Sequence, residues 1–206
     1  MDPLRPVKVD SPLDRRVRAF LGIGPPPEEW LDALEAWLVP VTRRLNGPMK
    51  WTKRENLHVT LRFFGNISQG DVLEIEAILR GLCGSFQHFR LDASRLLFFP
   101  NLERARIVGF KADDESRQIF ELEKQIRERL AQFGKPPDTR PFHPHFTLAR
   151  VDALSPGDRN IFRGLISERG GPKLPEWMAR EVTLFESRLQ AGGSVYTPIA
   201  KFPLVA

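Results

Sequence analysis

The chain has 206 residues, with 31 Lys and Arg against 26 Asp and Glu, a formal charge of +5, 41% hydrophobic residues and 28% charged ones. These proportions fit a folded soluble protein, and they exclude a spanning helix, since no apolar run approaches the roughly 18 residues one requires. A single cysteine, Cys83, excludes an intrachain disulfide and any multi-cysteine zinc or iron–sulfur site. The positive balance favours an anionic partner, of which nucleic acid is the commonest in a cytosol. The first eighteen residues hold Asp2, Asp10 and Asp14 and no continuous apolar core, so they do not read as a signal peptide, and a cytoplasmic protein is expected. Nothing marks a flexible linker, so residues 1–206 are expected to form a single domain.

In chain order, Arg16 to Ile23 alternates polar and apolar and ends at Gly24 with three prolines, which predicts a strand entering a loop. From Glu28 to Leu45, Trp30, Leu31, Leu34, Trp37 and Leu38 fall at helical spacing, and Pro40 kinks or shortens that helix. A strand over Leu57 to Phe64 follows. Ser68 then caps a helix over Gly70 to Leu82, with Asp71 completing a capping box. Phe89 to Phe98 and Arg104 to Ala112 read as strands. Asp113 or Asp114 opens a third helix, striped by Ile119, Phe120, Leu122, Ile126 and Leu130 and ended by Gly134. Pro144 to Val151 is a strand, Ser155 and Pro156 start a short helix, and Arg180 to Leu189 with Val195 to Leu204 flank Gly192-Gly193 as a closing hairpin. Strands joined partly by hairpins predict an α+β arrangement over a doubly wound parallel sheet. No Gly-rich phosphate loop supports an ATP or NAD site.

Two strings share one chemical pattern: Leu57-His58-Val59-Thr60-Leu61 and Pro144-His145-Phe146-Thr147-Leu148. Alternation along a strand sends His58 and Thr60 to one face and Leu57, Val59 and Leu61 to the other, and it separates His145 and Thr147 from Phe146 and Leu148 in the same way. A lone strand His is usually a hydrogen-bonded structural residue and a lone Thr simply a good strand residue; the doubling carries the information. Two imidazoles with ordinary pKa values of about 6.5 can divide the roles of proton acceptor and proton donor on either side of a phosphorus atom. Two threonine hydroxyls can donate to its non-bridging oxygens.

Other residues near the motifs divide into site and scaffold. Arg62 continues the alternation of His58 and Thr60 into the same cleft, whereas Arg150 has the opposite parity from His145 unless a bulge or strand end redirects it. Phe142 is placed to stack on a base. His143 and His145 form a His-x-His pair, but Pro144 between them and the lack of a nearby carboxylate or thiol cluster argue against a metal site. His88, Cys83 and the four tryptophans read as structural, Trp51 lying just upstream of the first motif.

The stretches Glu55 to Gly65 and Arg140 to Arg150, with the tail Thr183 to Leu189, resemble the 2H phosphoesterase superfamily, in particular its bacterial and archaeal RNA 2',3'-cyclic phosphodiesterases, also called 2'-5' RNA ligases. The resemblance runs from Arg18 to Tyr196-Thr197-Pro198. It implies a bilobal α+β fold with pseudo-twofold symmetry, in which two antiparallel sheets line a central cleft, helices lie outside and each lobe donates one motif. It also implies metal- and cofactor-independent hydrolysis of RNA 2',3'-cyclic phosphate ends, or of a small cyclic nucleotide, to a 2'-phosphate, with weak reverse ligation and no membrane partner. His145 would be the base activating water and His58 the acid protonating the 3' oxygen, with Thr60 and Thr147 on the phosphate and Arg62, Arg150, Phe142 and His143 binding substrate. His143 stands where many relatives have Arg, and Ile107 where an aromatic residue often follows the preceding basic one. A monomer is expected. Two alternatives use the same residues: a non-catalytic nucleotide- or RNA-binding module on this scaffold, and a metal hydrolase built on His143 and His145.

Overall fold

The computed structural model describes residues 12–93, 95–167 and 172–206; the first eleven residues of the N-terminal stretch discussed above lie outside the described residues. The expected strand forms as β1 (Arg16–Ile23), but its burial alternates only from Arg16 to Ala19; Phe20 to Ile23 are buried in succession, where the pairing with the next long strand shifts register. The helix α1 (Glu28–Thr42) runs through Pro40, which has no N–H to give the carbonyl one turn earlier, and it closes two residues later instead of reaching Leu45. A two-residue strand, β2 (Lys50–Trp51), follows and is too short to leave a periodic signal. The first motif leads into β3 (Val59–Ser68) and α2 (Gln69–Cys83). Ser68 Oγ accepts from the Asp71 N–H at 3.0 Å and Asp71 Oδ2 from the Ser68 N–H at 2.8 Å, so the expected capping box forms, worth about 1 kcal/mol.

The apolar run from Phe89 to Phe98 is two strands, because its halves choose different partners. β4 (Phe89–Leu91) pairs with β8 (Trp177–Ala179), whereas β5 (Leu96–Phe99) pairs with β6 (Ile107–Lys111). The strand expected from Arg104 begins only at Ile107, since Leu102–Arg104 forms a tight turn capped by Asn101. The third helix, α3 (Gln118–Arg129), starts four residues after Asp114, whose buried carboxylate takes the N–H groups of Ser116 and Ile119. Gly134 lies beyond its end with φ +63, where an added Cβ would stand 2.3 Å from the Phe64 carbonyl oxygen. β7 (His145–Arg150), α4 (Pro156–Ser167), β9 (Glu181–Gln190) and β10 (Gly193–Pro203) complete the chain close to expectation. Ser155 Oγ accepts from the Asp158 N–H, as a helix cap does.

Among the described residues eight strands associate, seven in the order β10-β9-β1-β3-β7-β6-β5 and β2 off that path, paired with β7. The arrangement is two four-stranded antiparallel lobes, β10-β9-β1-β3 and β2-β7-β6-β5, meeting where β3 and β7 pair at Val59–Phe146. These are the two sheets of the expected bilobal α+β fold, and the strands that touch at the junction are the two that carry the motifs. Val59, Leu61, Phe64 and Ile67 of β3 pack into one core with Val72, Ile75 and Leu79 of α2 and Ile119, Leu122 and Ile126 of α3. A second cluster, including Val108, Phe98 and Phe162, fills the other lobe beneath α4. Trp30 and Trp177 lie 5.2 Å from Phe146 and are core residues. Cys83 is fully buried, and burial pushes its thiol up to about 12, which leaves it unreactive.

Candidate active site

Both motif strands break their alternation at the same place. Leu21 pairs with Arg62 and Gly22 with Thr60, so Leu61 is an extra residue on β3; Val108 pairs with Ala149 and Gly109 with Thr147, so Leu148 is the extra residue on β7. A bulge of this kind flips the parity of everything after it. Leu61 and Arg62 are consequently buried in succession, as are Leu148 and Ala149. Opposite each motif threonine stands a glycine, and neither tolerates a side chain without movement. A Cβ on Gly22 would lie 2.9 Å from the Val59 carbonyl oxygen and one on Gly109 2.3 Å from that of Phe146, in each case the residue between His and Thr. The shared bulge and glycine express the expected pseudo-twofold symmetry in the backbone.

The strand-parity reading is therefore corrected at both arginines. Past the bulge Arg150 joins His145 and Thr147 on the cleft side, where its charge acts on both imidazoles. Arg62 is turned away from them: it borders the cleft, but Nη2 donates to the Phe133 and Lys135 carbonyls at 3.1 and 3.3 Å and the guanidinium lies 5.1 Å over the Phe64 ring. Its cleft-side successor is Phe63, which occupies the position that Arg150 holds in the other lobe and is 55% exposed.

His58, Thr60, His145 and Thr147 all line one cleft of about 590 Å³, a volume suited to a nucleotide-sized ligand. The Nδ1 of each imidazole meets a main-chain carbonyl two residues earlier, Asn56 at 2.6 Å and His143 at 2.7 Å. A carbonyl only accepts, so each ring carries its proton on Nδ1 and keeps Nε2 as a base. The Nε2 of His58 takes the Thr60 hydroxyl at 3.0 Å. Burial, first, holds both imidazoles below their ordinary value; Arg150 adds to this at both, His145 also acts on His58 and His143 on His145, while the two carbonyls oppose it.

His143 and Phe142 also border the cleft. His143 is exposed, its ring 6.1 Å from Phe99, and Phe142 meets Phe120 edge-on at 5.9 Å. Trp51 packs partly buried against the core. A metal centre on His143 and His145 finds no third ligand among the described residues, where no cluster of three His, Cys, Asp or Glu side chains forms. The sequence reading missed the aromatic wall around His58: Phe20 at 4.8 Å, Tyr196 edge-on at 5.3 Å and Phe185 at 6.3 Å. Phe99, 4.9 Å from His145, was missed as well. Aromatic residues on strands read first as core, and Phe20 and Phe185 are buried as such behind His58, while Tyr196 reaches the cleft.

The chain matches the family model of the 2'-5' RNA ligase superfamily over residues 25–190. It is 27% identical over 189 residues to an RNA 2',3'-cyclic phosphodiesterase of Methanothermobacter thermautotrophicus, covering 92% of this chain and 100% of that protein. It is 30% identical over 151 residues to one of Aeropyrum pernix, covering 72% of this chain and 82% of that protein. The fold superposes on the crystal structure of Escherichia coli LigT complexed with 3'-AMP with a TM-score of 0.68 at 25% identity, covering 93% and 100% of the two chains.

Proposed function

Since the chain belongs to the 2'-5' RNA ligase superfamily, we propose that residues 1–206 act as one bilobal unit that hydrolyses RNA 2',3'-cyclic phosphate ends to 2'-phosphomonoesters, without metal or cofactor. The observation that carries this reading is the pair of half-buried imidazoles of one tautomer lining a single cleft, with Thr60 hydrogen-bonded to one and the Arg150 charge reaching both. A small 2',3'-cyclic nucleotide presents the same reacting atoms and would serve as a minimal substrate. The monomer and cytoplasmic residence expected from the sequence belong to the same reading. No helix among the described residues is long and apolar enough to cross a membrane.

The chemistry follows from the asymmetry of the walls. Phe63 and Tyr196 offer apolar faces on the His58 side of the cleft, where a ribose and its base fit, so the departing 3' oxygen falls to His58. His145 Nε2 then removes a proton from water on the far side of phosphorus. The new P–O bond forms from water, the P–O3' bond breaks, His58 delivers a proton to O3' and the phosphate stays on O2'. In the free cleft both imidazoles are held low. The negative charge of the bound phosphodiester favours protonation of one of them, so substrate itself prepares the acid. Thr60, Thr147 and Arg150 donate to the non-bridging oxygens as charge builds there. With a 5' hydroxyl in place of water, His145 takes its proton, the new P–O5' bond forms, the P–O3' bond breaks with a proton delivered by His58, and the result is the weak 2'-5' ligation; Phe142 and His143 on the rim are placed to contact the rest of the substrate.

Replacing either histidine by alanine is expected to lower turnover of a cyclic-phosphate oligonucleotide by about 10² to 10⁴ each, with the fold intact, EDTA without effect and the wild-type product a 2'-phosphate. Full turnover in either variant, or a 3'-phosphate product, contradicts the mechanism.

A further inference from the structure

The turn just before the first motif is fastened at both ends, and the fastening is unlike anything around the second. Asn56 closes the tight turn Arg54–Asn56, and its carbonyl receives the His58 Nδ1 proton at 2.6 Å. Asn56 is 8% exposed, and its side chain reaches across 138 positions of sequence, Nδ2 donating to the Ser194 carbonyl at 2.8 Å. Ser194 lies at the start of β10, two residues before Tyr196, whose ring stands perpendicular to His58 at 89°. At the other end of the turn, Arg54 meets three carboxylates of α1: Glu28, Asp32 at 2.7 Å and Glu35 at 3.1 Å. The corresponding carbonyl in the second lobe belongs to His143, an exposed residue.

We propose that Asn56 is the positioning residue of the His58 half of the site: its carboxamide ties the carbonyl that fixes the His58 tautomer to the strand that carries Tyr196. An amide is needed because the Ser194 carbonyl can only accept, and a carboxylate there would set oxygen against oxygen. Asn56 acts through His58 and takes no proton itself. The consequence for turnover rests on the phosphodiester chemistry proposed above; the consequence for the imidazole does not.

The test compares wild type with Asn56→Ala, Asn56→Asp and Asn56→Gln, reading both imidazoles by ¹⁵N NMR and kinetics on a 2',3'-cyclic nucleotide. The expected result is that His58 in Asn56→Ala and Asn56→Asp loses its uniform Nδ1–H form while His145 keeps its own. With it, kcat falls about 10- to 100-fold, the size of effect that a misplacement near 1 Å produces, KM changes little, and Asn56→Gln recovers part of the loss. Unchanged His58 signals, a shifted tautomer with unchanged kcat, or equal disturbance of His58 and His145 together with a lowered melting temperature would each overturn the proposal. If Asn56→Ala does not fold, Asn56→Gln and Asn56→Asp carry the same comparison. A wild-type enzyme with no turnover but with the His58-specific NMR change would sink the phosphodiesterase reading and leave the tie standing.

Discussion

The His58 and His145 halves of the cleft share a backbone and differ in nearly every neighbouring side chain. Each has a His-x-Thr strand, a bulge at the leucine after the threonine and a glycine opposite. At matched positions Phe20 stands against Ile107, Phe185 against Phe99 and Phe63 against Arg150. The repeated backbone is what two imidazoles need in order to present Nε2 to one point. The divergent walls are what an asymmetric substrate needs, since the groups flanking a cyclic phosphate are water on one side and a nucleoside on the other. Duplication supplies the acid–base pair, and divergence decides which member meets which group.

The exchange of Arg150 for Phe63 offers the sharpest way to break the comparison. Arg150→Met is expected to cost about 10²- to 10³-fold in kcat/KM, as removal of a transition-state donor does. Because Arg150 holds both imidazoles down, its loss also moves the pH profile of kcat/KM to higher pH. Phe63→Ala at the matched position should cost only about 10-fold, expressed in KM as lost stacking, with no shift of the profile. Equal shifts in both variants would mean that the halves are not specialised in this way.

The glycines test the backbone half of the comparison. Gly109→Ala forces a Cβ against the Phe146 carbonyl oxygen at 2.3 Å and is expected to cost about 2–3 kcal/mol of stability, within the range of severe single substitutions. Gly22→Ala, at 2.9 Å from the Val59 oxygen, should cost less. Chemical denaturation of the two variants reads the order directly. The reverse order would show that the second bulge yields more easily than the first.

Local signals in the chain were enough for most of the scaffold. Ser68 and Asp71 form their box, Ser155 caps α4, and the hairpin on either side of Gly192 forms where turn chemistry puts it. The paired imidazoles were equally legible, because His-x-Thr needs only alternation. What escaped were features decided between strands. The bulges that reverse Arg62 and Arg150 depend on Gly22 and Gly109, distant in sequence, and a glycine inside an apolar run signals a bulge without saying which partner residue is displaced. The split of Phe89–Phe98 arises from two different partner strands. The Asn56–Ser194 tie spans 138 positions of sequence, so nothing local could announce it.

The smallest effect expected is on stability, and it again separates the halves. Burial holds both imidazoles below their ordinary value of about 6.5. Above that pH the folded and unfolded chains are both neutral at these residues, and the histidines cost nothing. As pH falls below it, the unfolded chain binds protons that the folded one refuses, so stability is lost until the folded pKa values are passed. His58, enclosed by Phe20, Phe185 and Tyr196, should account for more of this loss than His145, which has Phe99 beside it. Melting temperatures followed through that range should therefore fall less steeply in His58→Asn than in wild type, with His145→Asn between them. A cyclic-nucleotide product analogue in the cleft should flatten the wild-type curve, because its negative charge raises both imidazoles toward their unfolded value. A steeper fall in His58→Asn than in wild type would mean that His58 is stabilised as the cation, against the burial and the Arg150 charge that hold the ring neutral.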